Sequence, residues 1–313
     1  MKRFLITVFY PIIWLRRKYL LRKELEFAKA DPKATASRRY KKAMGKDLDW
    51  DNPKDLNEKI NWMKFNTDLS EWTRLSDKYR VREYLKERGR EDLLVKLYGV
   101  WENADDIDFD KLPDRFVLKS NHGCGTVIIV NDKSALDTSS VRKQMNGWLN
   151  KSFGILTVEP QYTNIKPLLI AEELLENDNP NSTSLVDYKV FCLNGEPYCI
   201  LVCANRIIGK GTELAFYDLD WNPIPDMLYG SHANNHVSID PPNCLPDLLL
   251  ASKQLSRGHP EVRVDFYIVH NQIYFGEMTF TSLGGYMDYI APYYLQEMGK
   301  LVSLPGKTNA VAN

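Results

Sequence analysis

Residues 263–285 read RVDFYIVHNQIYFGEMTFTSLGG: two short strand-like runs about a polar centre, with Arg263, Asp265 and Glu277 in mid-strand and a glycine pair at the end. A reversal centred on Asn271 sets Arg263 opposite Thr279 and Asp265 opposite Glu277. Directly opposed residues share a face, with Cβ atoms about 4.5–5.5 Å apart. Alternation sends Val264, Phe266, Ile268, Tyr274, Met278 and Phe280 to the other side, an apolar face fit for a core. A two-residue turn would shift the pairing by one and bring Glu277 to the core face. Two carboxylates this close repel unless a cation or proton lies between them. An Mg²⁺ ion held by both, its other positions filled by phosphate oxygens and water, relieves the repulsion. Arg263 then adds charge toward the same phosphates. The competing reading is a surface Arg263–Asp265 pair with Glu277 in solvent.

The chain has 313 residues, 44% hydrophobic and 26% charged, enough for a substantial core and one or two domains. Lys+Arg and Asp+Glu number 41 each, so the formal net charge is zero. The balance is uneven along the chain: Met1 to Lys46 carries fourteen Lys/Arg against Glu24, Glu26 and Asp31. A basic arm on an acidic body suits an anionic partner, such as a membrane surface or an acidic polymer. The apolar run Phe4–Leu15 is shorter than the roughly 20 residues that span a bilayer. It is flanked by basic residues and lacks a small-residue cleavage site. An interfacial anchor on the cytoplasmic leaflet and a helix docked on its own protein are both consistent with it. Five cysteines with no CxxC pair point to a reducing compartment, with Cys192, Cys199 and Cys203 as core fillers. No nucleic-acid partner is expected.

Between Leu20 and Gly99 the pattern is helical. NPKDLNEKINWMKFN predicts a helix starting near Pro53 and capped by Asp51 or Asn52; SDKYRVREYLKERG predicts another, capped by Ser76 or Asp77 and stopped by Gly89. FVLKS and TVIIVND read as strands joined by the loop NHGCG, followed by a helix over TSSVRKQMNGWLNKSF. DYKVFCL and PYCILVCAN flank Asn194-Gly195, a strong hairpin signal. LPDLLLASKQLSRG is a helix ending near Gly258, and SLPGKTNAVAN reads as a disordered tail.

Lys119 ends an apolar strand just before a glycine-bearing loop, an arrangement that holds a polyphosphate through backbone N–H groups and one point charge. It is neither a Walker loop nor a Rossmann fingerprint, and a plain hairpin turn fits it as well. His122 is either a phosphate donor or a turn residue, and Cys124 a small residue that lets the loop close. LLIAEELL is an apolar strand stopping at Glu172-Glu173, suited to lining an adenine slot, or else a short core helix. Lys189 alternates with Asp187 in mid-strand, as expected of a side chain reaching into a nucleotide cleft or lying on an edge strand.

In this order the parts resemble the ATP-grasp superfamily. NPKDLNEKINWMKF, FVLKSNHGCG, DYKVFCLNGEP, FYDLDW and VDFY…IYFGEMTFT resemble in detail the TupA-like ATP-grasp family, named for teichuronopeptide biosynthesis. The resemblance covers about Asn52 to Met298. It implies an α+β fold of two subdomains gripping ATP behind a helical N-terminal region. The implied divisions are an N-terminal segment 1–22, a helical region 23–110, a lid 111–180, a core 181–300 and a tail 301–313. It further implies that Lys119 and the loop Asn121, His122, Gly123, Gly125 and Thr126 cover the ATP phosphates on a mobile lid. Glu172, Glu173 and Leu175 would contact adenine, Lys189 and Arg263 would reach phosphates and serve catalysis, and Asp265 and Glu277 would hold Mg²⁺. Many superfamily members have asparagine where this chain has Thr279, a shorter, neutral ligand, so that contact departs from the pattern. Arg206, Gly284 and Gly285 are the candidates for binding the acceptor; His232 and His236 either line its mouth or form a plain loop.

The implied reaction is ATP-dependent ligation of a carboxylate to an amine through an acyl phosphate. It needs positioning and charge neutralisation rather than a protein nucleophile. The expected substrates are an acidic surface polysaccharide or its lipid-linked precursor and an amine or amino acid, handled at the cytoplasmic membrane face. A sugar kinase on the same fold, or a glycosyltransferase-type or non-catalytic assembly protein, remains open at this point.

Overall fold

The computed structural model describes residues 2–207, 211–233 and 237–306, with the backbone alone for 2–14. The expected tail, from 307 onward, and His236 lie outside the described residues. The chain opens with α1 (Lys2–Ala30) and α2 (Pro32–Met44). Asp31 starts α2 by accepting the Ala34 N–H at 2.8 Å, and Gly45 ends it in the left-handed region. No helix among the described residues is long and apolar enough to cross a membrane.

The start of α3 (Leu56–Asn66) corrects the expected cap: neither Asp51 nor Asn52 caps it, but Asp55. Asp55 accepts the Glu58 N–H while Glu58 reaches back to the Asp55 N–H, a reciprocal capping box that outcompetes the Asp51 and Asn52 positions. After α4 (Ser70–Ser76), Asp77 accepts the N–H groups of Tyr79 and Arg80 and turns the chain into α5 (Val81–Glu87). A strand that the helical pattern hides, β1 (Leu97–Trp101), follows.

β2 (Phe116–Ser120) and β3 (Val127–Val130) form a hairpin; α6 (Thr138–Leu149) and the short α7 (Pro160–Thr163) lead into β4 (Leu169–Glu172). The four strands make one antiparallel sheet in the order β1-β4-β2-β3. Phe116, Leu118, Leu169 and Ala171 bury one face under Val141, Met145 and Trp148 of α6. The opposite face carries Val117, Lys119, Val127, Ile129 and Glu172, and on it Val127 and Ile129 are exposed.

The second sheet contains β5 (Asp187–Leu193), β6 (Glu196–Ile207), β7 (Gly211–Tyr217), β8 (Glu261–Val269) and β9 (Gln272–Thr279), in the order β7-β6-β5-β8-β9. Asn194 and Gly195 both take positive φ, as the β5–β6 hairpin requires. Tyr188, Val190, Cys192, Val264, Phe266 and Met278 bury one face with Leu248, Ala251 and Leu255 of α8 (Leu245–Ser256). Trp72 of α4 stacks on Phe280 at 5.2 Å, tying the helical region into the same core. Each such fully buried large side chain contributes about 1.5–3 kcal/mol. The last helix is α9 (Pro292–Leu301). All five cysteines are free, with Cys192, Cys199 and Cys203 buried as expected.

The β8–β9 register holds a correction. The turn is not centred on Asn271: it is a two-residue turn, His270-Asn271, both with positive φ. Such a turn alone would bury Glu277. Gly276 is an extra residue in β9, a bulge between the Phe266–Phe275 and Asp265–Glu277 pairs, and it restores the opposition of Asp265 and Glu277. A Cβ at Gly276 would stand 3.0 Å from the Asp265 carbonyl oxygen, so glycine suits the bulge. The correction extends to Tyr274, which pairs with Tyr267 on the polar face, while Ile273 and Phe275 take its expected place in the core.

Candidate active site

The polar face of the five-stranded sheet carries a line of alternating charges. Arg206 Nη2 lies 2.5 Å from Asp187 Oδ2, and Asp187 Oδ1 lies 3.5 Å from Lys189 Nζ. Lys189 is paired with Asp265, its directly opposed neighbour across β5 and β8. Arg263 donates to both Asp265 oxygens at 2.7 and 2.8 Å. It lies 3.7 Å from Glu277 Oε1, and Lys78 Nζ is 3.2 Å from Glu277 Oε2. The strand period puts these side chains on one face, and the bulge at Gly276 brings Glu277 into the line.

Burial opposes charge at each position, and the neighbours decide the outcome. Burial pushes the Glu277 carboxyl up, but Lys78, Lys189 and Arg263 outweigh it and hold it at about 2. Burial likewise pushes Lys189 down, and Asp265 and Asp187 more than reverse it. Both remain charged across the physiological range. The Arg263–Asp265 pair therefore exists, but as a buried pair: the two side chains are 12% and 3% exposed, against the surface pair of the competing reading.

Asp265 and Glu277, opposed on one sheet face, offer a magnesium ion two carboxylates, each now paired with cations of the protein itself. No group of three or more His, Cys, Asp or Glu side chains gathers as a metal site among the described residues. Mg²⁺ nonetheless needs only one or two carboxylates when phosphate oxygens and water supply the rest. Thr279, opposite Arg263, accepts from Arg263 Nη2 at 3.3 Å and donates to Glu277 Oε1 at 3.4 Å.

Across the smaller sheet, Lys119 Nζ pairs with Glu172 Oε2 at 2.5 Å, and Arg82 approaches the same carboxylate at 3.5 Å. Glu173 is tied by its N–H to the Lys96 carbonyl at 2.9 Å. A cavity of about 590 Å³ borders this segment through Arg82, Lys96 and Leu97, and holds none of Lys189, Arg263, Asp265 or Glu277. The 121–126 loop is held from outside. Asn121 donates to Asp77 and to the Lys166 carbonyl, and Lys78 donates to the Gly123 carbonyl at 2.9 Å. His122 is buried, its Nε2 3.2 Å from the Lys151 carbonyl and its ring edge-on to Phe153. Gly123 packs so closely on Phe153 that a Cβ would meet the ring at 2.5 Å. Thr126 is 2.6 Å from Ser120, hydroxyl to hydroxyl, while Gly125 takes positive φ at the tip. Leu175 follows β4 and lies outside the sheet.

The structure thus gathers Lys189, Arg206, Arg263, Asp265, Glu277 and Thr279 on one face, and Lys119 with Glu172 on another. Gly284 and Gly285 sit in a turn whose Ser282 hydroxyl is 3.4 Å from Arg263 Nη1. His232 lies outside the charged line, its ring edge-on to Tyr289. Lys78, which links Glu277 to the loop, was not legible: a lysine opening an amphipathic helix is ordinary, and nothing local marks its distant partners. Arg82 escaped for the same reason.

The family described as TupA-like ATPgrasp matches residues 58–303. Among solved structures, the D-alanine–D-alanine ligase from Bacillus anthracis complexed with ATP is similar at 16% identity and TM-score 0.41, over 66% of this chain and 55% of that chain. The ADP complex of an N5-carboxyaminoimidazole ribonucleotide synthetase is similar at 11% identity and TM-score 0.42, over 70% of this chain and 49% of that chain. D-cycloserine synthetase is similar at 12% identity and TM-score 0.41, over 74% of this chain and 70% of that chain. The chain thus spans about half the length of the first two. No curated protein matches.

Proposed function

Because the chain belongs to the TupA-like ATP-grasp family, we propose that it is an ATP-dependent carboxylate–amine ligase acting through an acyl phosphate. The carboxylate substrate is an acidic cell-surface polysaccharide or its lipid-linked precursor, and the second substrate is an amine or amino acid. The observation that carries this reading is the opposition of Asp265 and Glu277 beside Lys189 and Arg263 on one sheet face.

In this reading the nucleotide lies between the two sheets. The exposed Val127 and Ile129 form an apolar platform for the base, the segment at Glu172, Glu173 and Leu175 reads its edge, and Lys119 and Lys78 lie near the phosphates. Asp265 and Glu277 would hold a magnesium ion, which when bound would supply neutralising charge to the phosphates. Lys189 and Arg263 spread positive charge over the transferring group. The substrate carboxylate oxygen attacks the γ-phosphorus and the bond to ADP breaks. The amine nitrogen then attacks the acyl carbon, phosphate leaves, and the nitrogen loses a proton. The 121–126 loop, tied to the body through Lys78 and Asn121, shields the acyl phosphate from water.

The polysaccharide assignment rests on the family and the basic N-terminal arm. In α1, Leu15, Tyr19, Leu20 and Leu21 are exposed among Arg16, Arg17, Lys18 and Arg22, which suits a peripheral position on an anionic cytoplasmic membrane face. ADP release with purified acidic polysaccharide, with and without a panel of amino acids, tests the reaction. Amine-dependent ADP release is expected; amine-independent release with a phosphorylated sugar product would replace the ligase with a kinase.

A further inference from the structure

Beyond Arg263 the chain enters a tight turn, Ser282–Gly285, in which Leu283, Gly284 and Gly285 have φ of 47°, 67° and 73°. One face of α3 holds this turn by its backbone. Lys64 Nζ donates to the Gly284 carbonyl at 2.5 Å, Asn61 to the Gly285 carbonyl at 2.8 Å, and Asn57 accepts the Met287 N–H at 3.0 Å. Asn57, Asn61 and Lys64 recur at helical spacing, so a single face of α3 makes all three contacts. A Cβ at Gly285 would stand 2.8 Å from Asn61 Nδ2, which keeps that position glycine.

Around this clamp lies a set of polar groups that the ATP site does not use. Lys64 sits 4.8 Å from the Tyr286 ring centroid, and the Arg39 guanidinium lies 5.7 Å from the same ring. On the other side, Thr281 donates to Glu159 Oε1 at 2.6 Å and accepts from Gln161 Nε2 at 2.7 Å. Three buried atoms here have no hydrogen-bond partner: Arg39 Nε, Tyr286 OH and Gln161 Oε1. An unpaired buried polar group costs about 1–3 kcal/mol, so several together call for a missing partner. The unpaired donors, Arg39 Nε and Tyr286 OH, belong to a cluster in which the cations Arg39 and Lys64 both lie against the Tyr286 ring, and they call for an anion. The unpaired acceptor, Gln161 Oε1, is joined through Thr281 to a carboxylate and calls for N–H groups.

We propose that Arg39, Lys64, Tyr286, Glu159 and Gln161 form the subsite of a free α-amino acid, with its carboxylate taken by Arg39 and Tyr286 and its ammonium by Glu159 and Gln161. This deepens the ligase reading and rests on it: the amine substrate is a zwitterion, whose ammonium gives up one proton toward the Glu159 carboxylate before its nitrogen attacks, seated behind the turn that meets Arg263 through Ser282. Burial, with Arg39 adding to it, lowers Lys64 to about 7, while Glu159 opposes. An arriving carboxylate therefore brings proton uptake by Lys64 near neutral pH.

The test is calorimetric binding of a panel of α-amino acids, their carboxamides and the decarboxylated amines to wild-type protein, Tyr286→Phe and Arg39→Gln. At least one amino acid is expected to bind wild type, its carboxamide about tenfold more weakly or worse. Tyr286→Phe is expected to weaken the amino acid about tenfold while the ligand-free melting temperature stays equal or rises, because only an unpaired hydroxyl is removed. A purely structural Tyr286 would leave ligand affinity untouched. The subsite is overturned by a panel with no binder, by equal binding of acid and amide, or by wild-type affinity in Tyr286→Phe. ADP release by the same proteins, supplied with the amino acid, Mg²⁺, ATP and purified acidic polysaccharide, reports the ligase reading separately. Amino-acid binding without any ADP release would support the subsite and reject the ligase.

Discussion

The two sheets place their lysines in opposite circumstances. Lys189, in the five-stranded sheet, is locked between Asp187 and Asp265, and Asp265 is also gripped by Arg263. Lys119, in the four-stranded sheet, pairs with Glu172 on a face where Val127 and Ile129 lie open. One sheet carries a charge pattern made by its own strands, with Lys78 alone reaching Glu277 from outside it. The other carries a partly open surface whose loop is fastened by residues from elsewhere. In the proposed ligase the first is the catalytic face and the second covers the nucleotide.

The same substitution in each sheet should separate them most widely. Lys189→Met removes the one cation shared by two buried carboxylates, leaving Asp265 to Arg263 and Asp187 to Arg206, and is expected to cost about 3 kcal/mol. Lys119→Met should cost about 1 kcal/mol, since Glu172 keeps Arg82 and the lysine is 24% exposed. Denaturant unfolding checks both, and equal costs would erase the distinction between the sheets. A smaller effect on stability, with a clear one on function, is expected from the double change Val127→Ser and Ile129→Ser. Exposed positions should shift stability by no more than about 0.5 kcal/mol each. Removing an apolar platform for the base should raise the KM for ATP about tenfold, with each buried methylene contributing about 0.8 kcal/mol.

The finest contrast lies within β8. Asp265 accepts from Arg263 and pairs with Lys189, whereas neither Glu261 oxygen has a hydrogen-bond partner. Burial pushes the Glu261 carboxyl well above its usual 4.5, against a small opposing pull from Arg263. The folded protein thus keeps a proton that the unfolded chain releases, and stability falls as pH rises above about 4.5. Glu261→Gln should remove that decline, and parallel pH–stability curves for variant and wild type would contradict it.

Much of the charged face was legible because Asp187, Lys189, Arg263, Asp265, Glu277 and Thr279 sit in mid-strand where apolar alternation has no use for them. The register was harder. Two signs were present, a His-Asn pair able to adopt positive φ and a glycine inside a strand, which marks bulges. Together they leave Asp265 opposite Glu277, as a turn centred on Asn271 alone would. The helical N-terminal region misled in the other direction. Asn57, Asn61 and Lys64 read only as part of a helical pattern, yet they grip the 284–287 backbone, whose distance along the chain leaves no local trace. Lys78 is silent in the same way, because its partners, Glu277 and Gly123, belong to two different hairpins.

Calorimetric titration of ATP into wild type and Glu277→Gln, each with and without Mg²⁺, most directly tests whether the opposed carboxylates hold the metal of a bound nucleotide. Glu277 is partly exposed, so its amide should leave the protein folded. Wild type is expected to bind ATP at least tenfold more tightly with Mg²⁺ than without, and the variant to lose that difference. Equal enhancement by Mg²⁺ in both proteins, or no ATP binding by wild type, would contradict it.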